Sequence, residues 1–514
     1  MITLDTVLIL DFGGQYTHLI ARRVRELGVY SEIVPGESSA EDVLARRPGA
    51  LVLSGGPRSV FDPGAPRPDP RILESGLPIL GICYGHQLIS HLMGGAVHRS
   101  PKAEYGRTRI RVTGESTLMD GVPREFSAWM SHGDVVSKLP EGFSVTAVSE
   151  SGLIAAAESP GRRIYSVQFH PEVAHTEHGR EILRNFLLRA AGLSGGWNPG
   201  SRISTMVEYV AREVGPEGRA LCAVSGGVDS MTAAVIAHRA IGDRLHVVFV
   251  DHGLLREGEV EGVLRALDGV GIRNVHFVDA SDRFLSALSG VTDPEEKRLI
   301  IGRMFADVFE EVASSISGIG YLVQGTIYPD RIESGASGRG SDRIKSHHNV
   351  AGLPEKFGLR VVEPLRDLYK DEVRAVAREL GLPESVVSRH PFPGPGLAVR
   401  VEGEVTREKL AIARRANAIV EEEFVRAGLY GAVWQAFAAV MDSTWVGVKG
   451  DRRELGRVVI VRAVTSEDGM TADWFRIPHD LLATISKRIS EEVPGVVMVA
   501  YAATSKPPST IEPC

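Results

Sequence analysis

The chain has 514 residues, a formal net charge of −7, 24% charged and 43% apolar residues, and three cysteines. That length suits about three domains, the balance is that of a globular protein, the charge excludes the basic footprint of a nucleic-acid binder, and three cysteines exclude a disulfide framework. No apolar run is long enough to cross a bilayer, and Met1 to Asp5 lead straight into a strand pattern without a signal peptide, so the expectation is a cytoplasmic protein in a reducing compartment.

The first predicted strand, residues 7–10, ends in Asp11-Phe12-Gly13-Gly14-Gln15, and a helical pattern follows to about residue 27. Further strands are predicted at 30–34, 50–53 and 78–82. Strands alternating with helices predict a doubly wound parallel sheet, whose ligands sit beyond the carboxyl ends of the strands. Three features fall at such ends. Gly81-Ile82-Cys83-Tyr84-Gly85 has the form of a nucleophile elbow with Cys in place of Ser. The helix that follows starts beside the sulfur and favours the thiolate. Ser54-Gly55-Gly56-Pro57 offers backbone N–H groups to an oxyanion. His170-Pro171-Glu172, after a strand at 164–169, supplies a base and a carboxylate to orient it. A lone Cys at a strand end is more often packing than nucleophile; the three pieces together point to a Cys-His-Glu triad. His86, His91 and His98 read as ordinary core or surface histidines.

Leu193-Ser194-Gly195-Gly196-Trp197-Asn198-Pro199-Gly200 is the clearest linker. After it come a helix at 203–214, an apolar strand at 220–224, and Ser225-Gly226-Gly227-Val228-Asp229-Ser230 leading into a helix from 231 to about 240. A strand, a two-glycine turn and a helix start make an anion site, because backbone N–H groups and the positive helix end face the ligand. Ser225 and Ser230 add hydroxyl donors, and Asp229 is a candidate ligand for Mg²⁺. Gly and Ser also serve ordinary turns, and the Walker spacing with its lysine is absent. Strands at 246–250, 275–278 and 321–323 predict a second doubly wound sheet, with Asp251 and Gln324-Gly325-Thr326 on its ligand edge.

Asp293 and Pro294 start a helix that runs to about residue 312. Its predicted apolar face is Ile301, Phe305, Val308, Phe309 and Val312, and its exposed face includes Lys297, Arg298 and Arg303. Residues 331–342, rich in Gly and Ser, precede Arg343-Ile344-Lys345-Ser346-His347-His348-Asn349. A mobile loop beside Lys345, His347 and His348 suits a lid over a nucleotide; a metal site at the two histidines lacks a supporting Cys or carboxylate cluster.

The connector His390-Pro391-Phe392-Pro393-Gly394-Pro395-Gly396-Leu397 fits neither helix nor central strand. A helix at 407–427 and strands at 458–464 and 496–501 follow, an α+β unit small enough to need a partner surface. Residues 496–503 are apolar throughout, which predicts a strand buried on both faces, inside the third domain or in its dimer interface. The expected architecture is two doubly wound α/β domains, 1–192 and 193–390, and a smaller α+β domain, 391–514.

Residues 1–192, with Gly13-Gly14-Gln15, Gly85-His86-Gln87 and the three strand-end features, resemble the class I glutamine amidotransferases. The resemblance implies that Cys83 attacks the glutamine amide, that His170 and Glu172 serve the thiol and the departing ammonia, and that Gly56 and Tyr84 offer N–H groups to the oxyanion. The Ser225–Ser230 loop resembles that of the ATP pyrophosphatases, which hold the pyrophosphate of ATP and transfer AMP to an oxygen. Taken with I-K-S-H-H-N-V, H-P-F-P-G-P-G-L and the tail Lys506-Pro507-Pro508-Ser509-Thr510-Ile511-Glu512, the chain resembles the glutamine-hydrolysing GMP synthetase family from end to end.

That resemblance implies amination of XMP to GMP through an adenylyl intermediate, as the last step of de novo guanine nucleotide synthesis. It implies ATP and Mg²⁺ as substrate complex, no tightly bound prosthetic group, and glutamine and XMP as the other substrates, with no nucleic acid or membrane partner. It implies a homodimer through the third domain, with Lys506, Thr510, Ile511 and Glu512 at the XMP site and Lys506 on the phosphate. The family usually has Asn, Arg and Asp where this chain has Val497, Met498 and Ala502, a common Ser at Met231, a common Glu at Met304, and Glu-Trp-Glu at the end where this chain has Glu512-Pro513-Cys514. Two other readings stand beside it: an ATP-dependent amidase with a different acceptor, and a nucleotide-binding regulator without turnover.

Overall fold

The computed structural model describes residues 5–330, 358–449, 451–466, 469 and 471–513. The predicted lid, including Lys345, His347 and His348, lies outside the described residues. The chain packs into two compact units, 1–198 and 199–514, with the boundary inside the Gly- and Pro-rich stretch. Trp197, before that boundary, belongs to the first unit: its N–H donates to the Gly28 carbonyl at 2.8 Å and its ring packs on Tyr30.

The first unit holds β1 (Thr6–Asp11), β2 (Tyr30–Pro35), β3 (Ala50–Leu53), β4 (Ile79–Ile82), β5 (Ala96–Val112), β6 (Glu125–Lys138), β7 (Ser144–Ser149), β8 (Ile154–Ser159) and β9 (Ile164–Val167). They form one sheet in the order β2-β1-β3-β4-β9-β8-β7-β5-β6. From β2 to β9 all pairings are parallel, and the short strands β1, β3, β4 and β9 are almost wholly buried, as strands covered on both faces must be. From β9 to β6 the pairings are antiparallel. This second half is the departure from the purely parallel sheet predicted for the unit. Its strands alternate: β6 runs exposed, buried, half-buried, buried, which is the signature of one wet face.

The second unit contains β10 (Arg219–Ala223), β11 (Leu245–Asp251), β12 (Val275–Asp279), β13 (Ile319–Val323) and β14 (Arg360–Val362), parallel throughout in the order β12-β11-β10-β13-β14. The order reverses between β10 and β13, the place where ligands bind in open α/β sheets. A separate sheet is built on a long hairpin, β15 (Gln435–Lys449) with β16 (Arg452–Thr465), to which β17 (Asp473–Trp474) pairs antiparallel and β18 (Val496–Tyr501) parallel. One continuous apolar core joins both sheets, running from Leu221 and Val248 through Ile301 and Val308 to Phe424, Val459 and Val461.

Two expectations need correction. Lys297 is fully buried, not on an exposed face. It sits in the first turn of the helix Pro294–Ser315, and its ammonium donates to the Val401 carbonyl at 2.8 Å. A buried cation needs such partners, and they come from a segment about a hundred residues away. The apolar run 496–503 is not covered on both faces within this chain either. Among the described residues β18 pairs only with β16; Val497, Met498 and Val499 are half-buried and Ala500 is exposed. Apolar continuity cannot separate a strand covered on two faces from one at a sheet edge. Val497 does fill a gap left by glycine: a Cβ at Gly456 would meet Val497 Cγ1 at 2.5 Å.

Candidate active sites

In the first unit, β1, β3, β4 and β9 are neighbours and run the same way, so the turns that follow them share one sheet edge. That brings together Gly13–Gln15, Ser54–Gly56, Cys83 and His170, although up to 157 residues of chain separate them. Cys83 follows β4 with φ 53° and ψ −103°, and the helix Tyr84–Leu92 starts at the next residue. A non-glycine residue rarely adopts that backbone, and the turn is held by Cys83 N–H donating to Val167 O at 2.8 Å and Gly85 N–H to Ser54 O at 3.1 Å. The N–H groups of Gly56 and Tyr84 take part in none of the loop and cap hydrogen bonds that fix these turns.

His170 and Glu172 are buried, and Nδ1 of His170 lies 2.7 Å from Oε1 of Glu172. The His170 N–H donates to Trp129 O at 3.0 Å, Thr176 Oγ1 donates to the His170 carbonyl at 2.6 Å, and the Tyr16 ring meets the imidazole edge-on at 5.1 Å. Burial disfavours a charged imidazole, but Glu172 and then Cys83 outweigh it and hold His170 well above its ordinary pKa. A base held in this tautomer by a carboxylate can take the thiol proton and keep it. Cys83 and His170 open onto a cavity of about 630 Å³ whose far wall is Ser131–Asp134 of β6.

In the second unit, the loop after β10 closes on itself. Ser225 N–H donates to Ser230 Oγ at 3.2 Å, Ser230 Oγ donates to Gly227 O at 3.1 Å, and the helix Val228–Ile241 starts from Gly227. Gly226 has φ +77°, where L side chains are strained, and the peptide of Asp229 lies so close to Gly325 that a Cβ there would meet its carbonyl carbon at 2.9 Å. The loop faces a cavity of about 390 Å³ lined also by Gln324, Thr326 and Phe392. Asp251 ends β11, and its carboxylate accepts from Gly253 N–H at 2.8 Å and shapes the turn that follows. His252, buried on the cavity wall, is pushed down to about 3 by burial, with Arg414 adding to the effect, so it stays neutral.

Four residues of this cavity were not singled out in the sequence. Lys370, at the first position of the helix Lys370–Glu379, donates to Asp229 Oδ2 at 2.6 Å. Asp229 Oδ1 is buried and has no hydrogen-bond partner among the described residues. Arg389 donates to Gly226 O at 3.2 Å and pairs with Glu259 at 2.5 Å, while Arg256 pairs with the same carboxylate and stacks over Phe392. Only spatial proximity links these cations to the loop, and no local motif announces it. Among the described residues no cluster of three or more His, Cys, Asp and Glu side chains is arranged to hold a metal ion. No helix among them is long and apolar enough to cross a membrane.

The tail is held in place. Lys506 pairs through its backbone with Ala472, and its ammonium donates to Gly469 O at 2.8 Å. Thr510 O accepts from Arg462 at 2.8 Å. Glu512 receives both arms of the buried Arg400 guanidinium, at 2.8 and 3.1 Å, and the Gln435 amide at 2.6 Å. Ile511 between them is half-buried.

Residues 8–190 match the family of class I glutamine amidotransferases, and residues 422–513 match the GMP synthase C-terminal domain. A glutamine-hydrolysing GMP synthase of Pyrobaculum aerophilum is 54% identical over 511 residues, covering 99% of this chain and all of its own length. One of Thermobifida fusca is 53% identical over 519 residues, covering 99% of this chain and 98% of its own length.

Proposed function

Since this chain belongs to the glutamine-hydrolysing GMP synthase family, a family of glutamine amidotransferase ligases, we propose that it makes GMP from XMP, ATP and glutamine through an adenylyl-XMP intermediate. The Cys83 thiolate attacks the glutamine carbonyl carbon, and Gly56 and Tyr84 N–H groups receive the oxyanion. His170 returns the thiol proton to the departing nitrogen, and ammonia leaves. Water then cleaves the thioester to glutamate, with His170 as base. In the second unit the C2 oxygen of XMP attacks the α-phosphorus of ATP and pyrophosphate departs. Ammonia attacks C2, and the C2–oxygen bond breaks with AMP as leaving group. A ring oxygen alone would leave poorly, which is why ATP is consumed.

Ser225 to Ser230 would cradle the pyrophosphate, with Lys370 free to move from Asp229 to the phosphates. Magnesium enters as part of the ATP complex, and its chemistry there is to neutralise phosphate charge. Asp229 would fit it as a ligand, because its Oδ1 is buried and has no hydrogen-bond partner among the described residues. The tail residues Lys506, Thr510, Ile511 and Glu512 would border XMP, with Lys506 exchanging the Gly469 carbonyl for phosphate. Residues 1–192, 193–390 and 391–514 would divide the work into glutaminase, adenylylation, and XMP binding with dimer formation. Support for a dimer comes from Trp445, Val446, Val448 and Leu455, which are 52–71% exposed on the long hairpin. The enzyme would work in the cytoplasm as the last step toward guanine nucleotide.

Two observations, one within each unit, carry this reading together: the Cys83–His170–Glu172 group in the first, and in the second a self-closed anion loop whose Asp229 Oδ1 has no hydrogen-bond partner among the described residues. The test is incubation with XMP, MgATP and glutamine, following XMP absorbance with AMP and pyrophosphate. One AMP and one pyrophosphate per GMP are expected. ADP and phosphate as products would overturn the adenylyl route, and unchanged XMP would leave the acceptor wrong. In the same assay Lys506→Ala should raise the KM for XMP strongly without touching glutamine hydrolysis.

A further inference from the structure

The wall of the glutamine cavity opposite Cys83 is an interruption in the β5–β6 pairing. Arg99 pairs with Asp134 and Glu104 with His132, so four residues of β5 stand opposite one residue, Gly133, of β6. The extra residues belong to β5, and Gly133 is the one residue of Ser131–Asp134 that they leave without a ladder partner; beside it, Cys83 Sγ lies 3.7 Å from the Ser131 carbonyl. At Gly133 strand pairing is missing, so the backbone there depends on other contacts.

At the edge of the bulge, two buried side chains face each other across the strands. His132 Nε2 lies 3.2 Å from Glu104 Oε2, and His132 Nδ1 lies 3.0 Å from the carbonyl oxygen of Asp134, spanning Gly133. Glu104 Oε1 in turn accepts from Ser149 Oγ at 2.8 Å. The same Asp134 carbonyl accepts from Gln87 Nε2 at 2.9 Å, and the Asp134 carboxylate accepts from Ser59 Oγ at 2.5 Å. A backbone carbonyl can only accept, so Nδ1 of His132 must carry its hydrogen, and Nε2 is left to Glu104. Glu104 thereby sets the ring that holds the loop. Neither residue belongs to the triad, and nothing in the glutaminase chemistry described above uses them.

We propose that Glu104 and His132 are positioning residues for glutamine hydrolysis: Glu104 orients the His132 ring, and His132 clamps the Asp134 carbonyl so that Ser131–Asp134 keeps its shape as the wall facing Cys83. The proposal rests on the reading of Cys83 as the nucleophile that opens glutamine. Glu104 acts through two hydrogen bonds away from any substrate atom, so its loss should appear in glutamine binding and leave the adenylylation chemistry alone.

The experiment measures glutamine-dependent and ammonia-dependent GMP synthesis by the full-length enzyme carrying Glu104→Ala, Glu104→Gln, His132→Ala, or both alanine changes. Glu104→Ala should lower glutamine kcat/KM by roughly 10- to 100-fold, the range for a lost buried hydrogen bond to a charged group, mainly through KM, with the ammonia-dependent rate unchanged. Glu104→Gln can still accept from Ser149 and engage Nε2, so it should recover most of that loss. The double alanine variant should be no worse than His132→Ala, because the two residues act in series. Unchanged glutamine kinetics in Glu104→Ala would overturn the proposal. So would an equal fall in the ammonia-dependent rate, additive losses in the double variant, or Glu104→Gln behaving like Glu104→Ala. Cys83→Ala assayed alongside separates the two levels: if glutamine still supports synthesis there, the nucleophile reading fails whatever Glu104 does.

Discussion

The turns after β4 and β10 answer one geometric problem in opposite ways. Each ends a buried parallel strand and starts a helix, and each needs backbone in the left-handed half of φ. After β10 the position is Gly226, and the groups the loop gathers are main-chain N–H donors and two serine hydroxyls. After β4 the position is Cys83 itself, because there the side chain must be thrust out of the turn. Glycine serves where backbone must meet the ligand, and strain on a side-chain-bearing residue is accepted where an atom must be presented. The surroundings differ in the same sense. On the Cys83 side, His170 is already fixed by Glu172 at 2.7 Å, whereas Asp229 is engaged by Lys370 through one oxygen and has no hydrogen-bond partner among the described residues for the other. On the proposed function, one site would be finished before glutamine arrives and the other would be completed by the nucleotide.

The sharpest way to break this contrast is to disable each site and vary the nitrogen source. Cys83→Ala should reduce glutamine-dependent synthesis about 10³-fold or more, since no other nucleophile is in place, while ammonia-dependent synthesis stays close to the parent rate. Steady-state assays with glutamine and with ammonium chloride at matched pH measure both, and equal loss with the two sources would dissolve the division of labour. Asp229→Ala should cost on the order of 10²-fold with either source, the scale for removing one electrostatic stabiliser of a developing charge. Pyrophosphate release reads it directly, and near-parent release would remove Asp229 from the site.

A smaller effect sharpens the first half of the comparison. Burial lowers the basicity of His170, and Glu172 more than restores it, so its proton is kept to a pH above the ordinary histidine range. A histidine raised in the folded state contributes stability that is complete below its unfolded pKa and is lost as pH rises through the folded value. Glu172→Gln removes the main raising influence. The alkaline limb of glutamine kcat/KM should therefore move to lower pH, and stability near and above neutral pH should depend less on pH than in the parent. A pH–rate profile with both nitrogen sources checks this; an alkaline limb that does not move would show that another group controls it.

The parallel strands were legible because each is a short apolar run that stops at a turn signature: 7–10 before Asp11, 50–53 before Ser54, 220–224 before Ser225. The antiparallel half of the first unit was not. β5 carries Arg107, Arg109 and Arg111 on alternate positions, and such a strand with one wet face gives no apolar run to read. β15 escaped for a different reason: its outer end exposes Trp445, Val446 and Val448, so the buried and solvent faces do not alternate in sequence. The grouping of Cys83, His170 and Glu172 was readable because these residues sit at strand ends, where fold alone aligns them. Lys370 was not, since its partner Asp229 lies 141 residues earlier and a lysine opening a helix is unremarkable. Lys297 was misjudged because a charge in a first helical turn is normally solvated, whereas here the returning segment at Val401 accepts from its buried ammonium.

The backbone at position 83 carries a meaning for inheritance as well as for chemistry. For folding alone, glycine would be the better residue there, since a side chain held in so sparsely populated a conformation costs about 1–3 kcal/mol, against a total stability of only about 5–15 kcal/mol for a typical domain. Every newly made copy bears that cost before it meets a substrate. A lineage released from the need to open glutamine, for instance one fed ammonia by a separate subunit, would thus have a thermodynamic reason to lose this cysteine early, and the identity of residue 83 becomes a record of whether selection for that reaction is still in force.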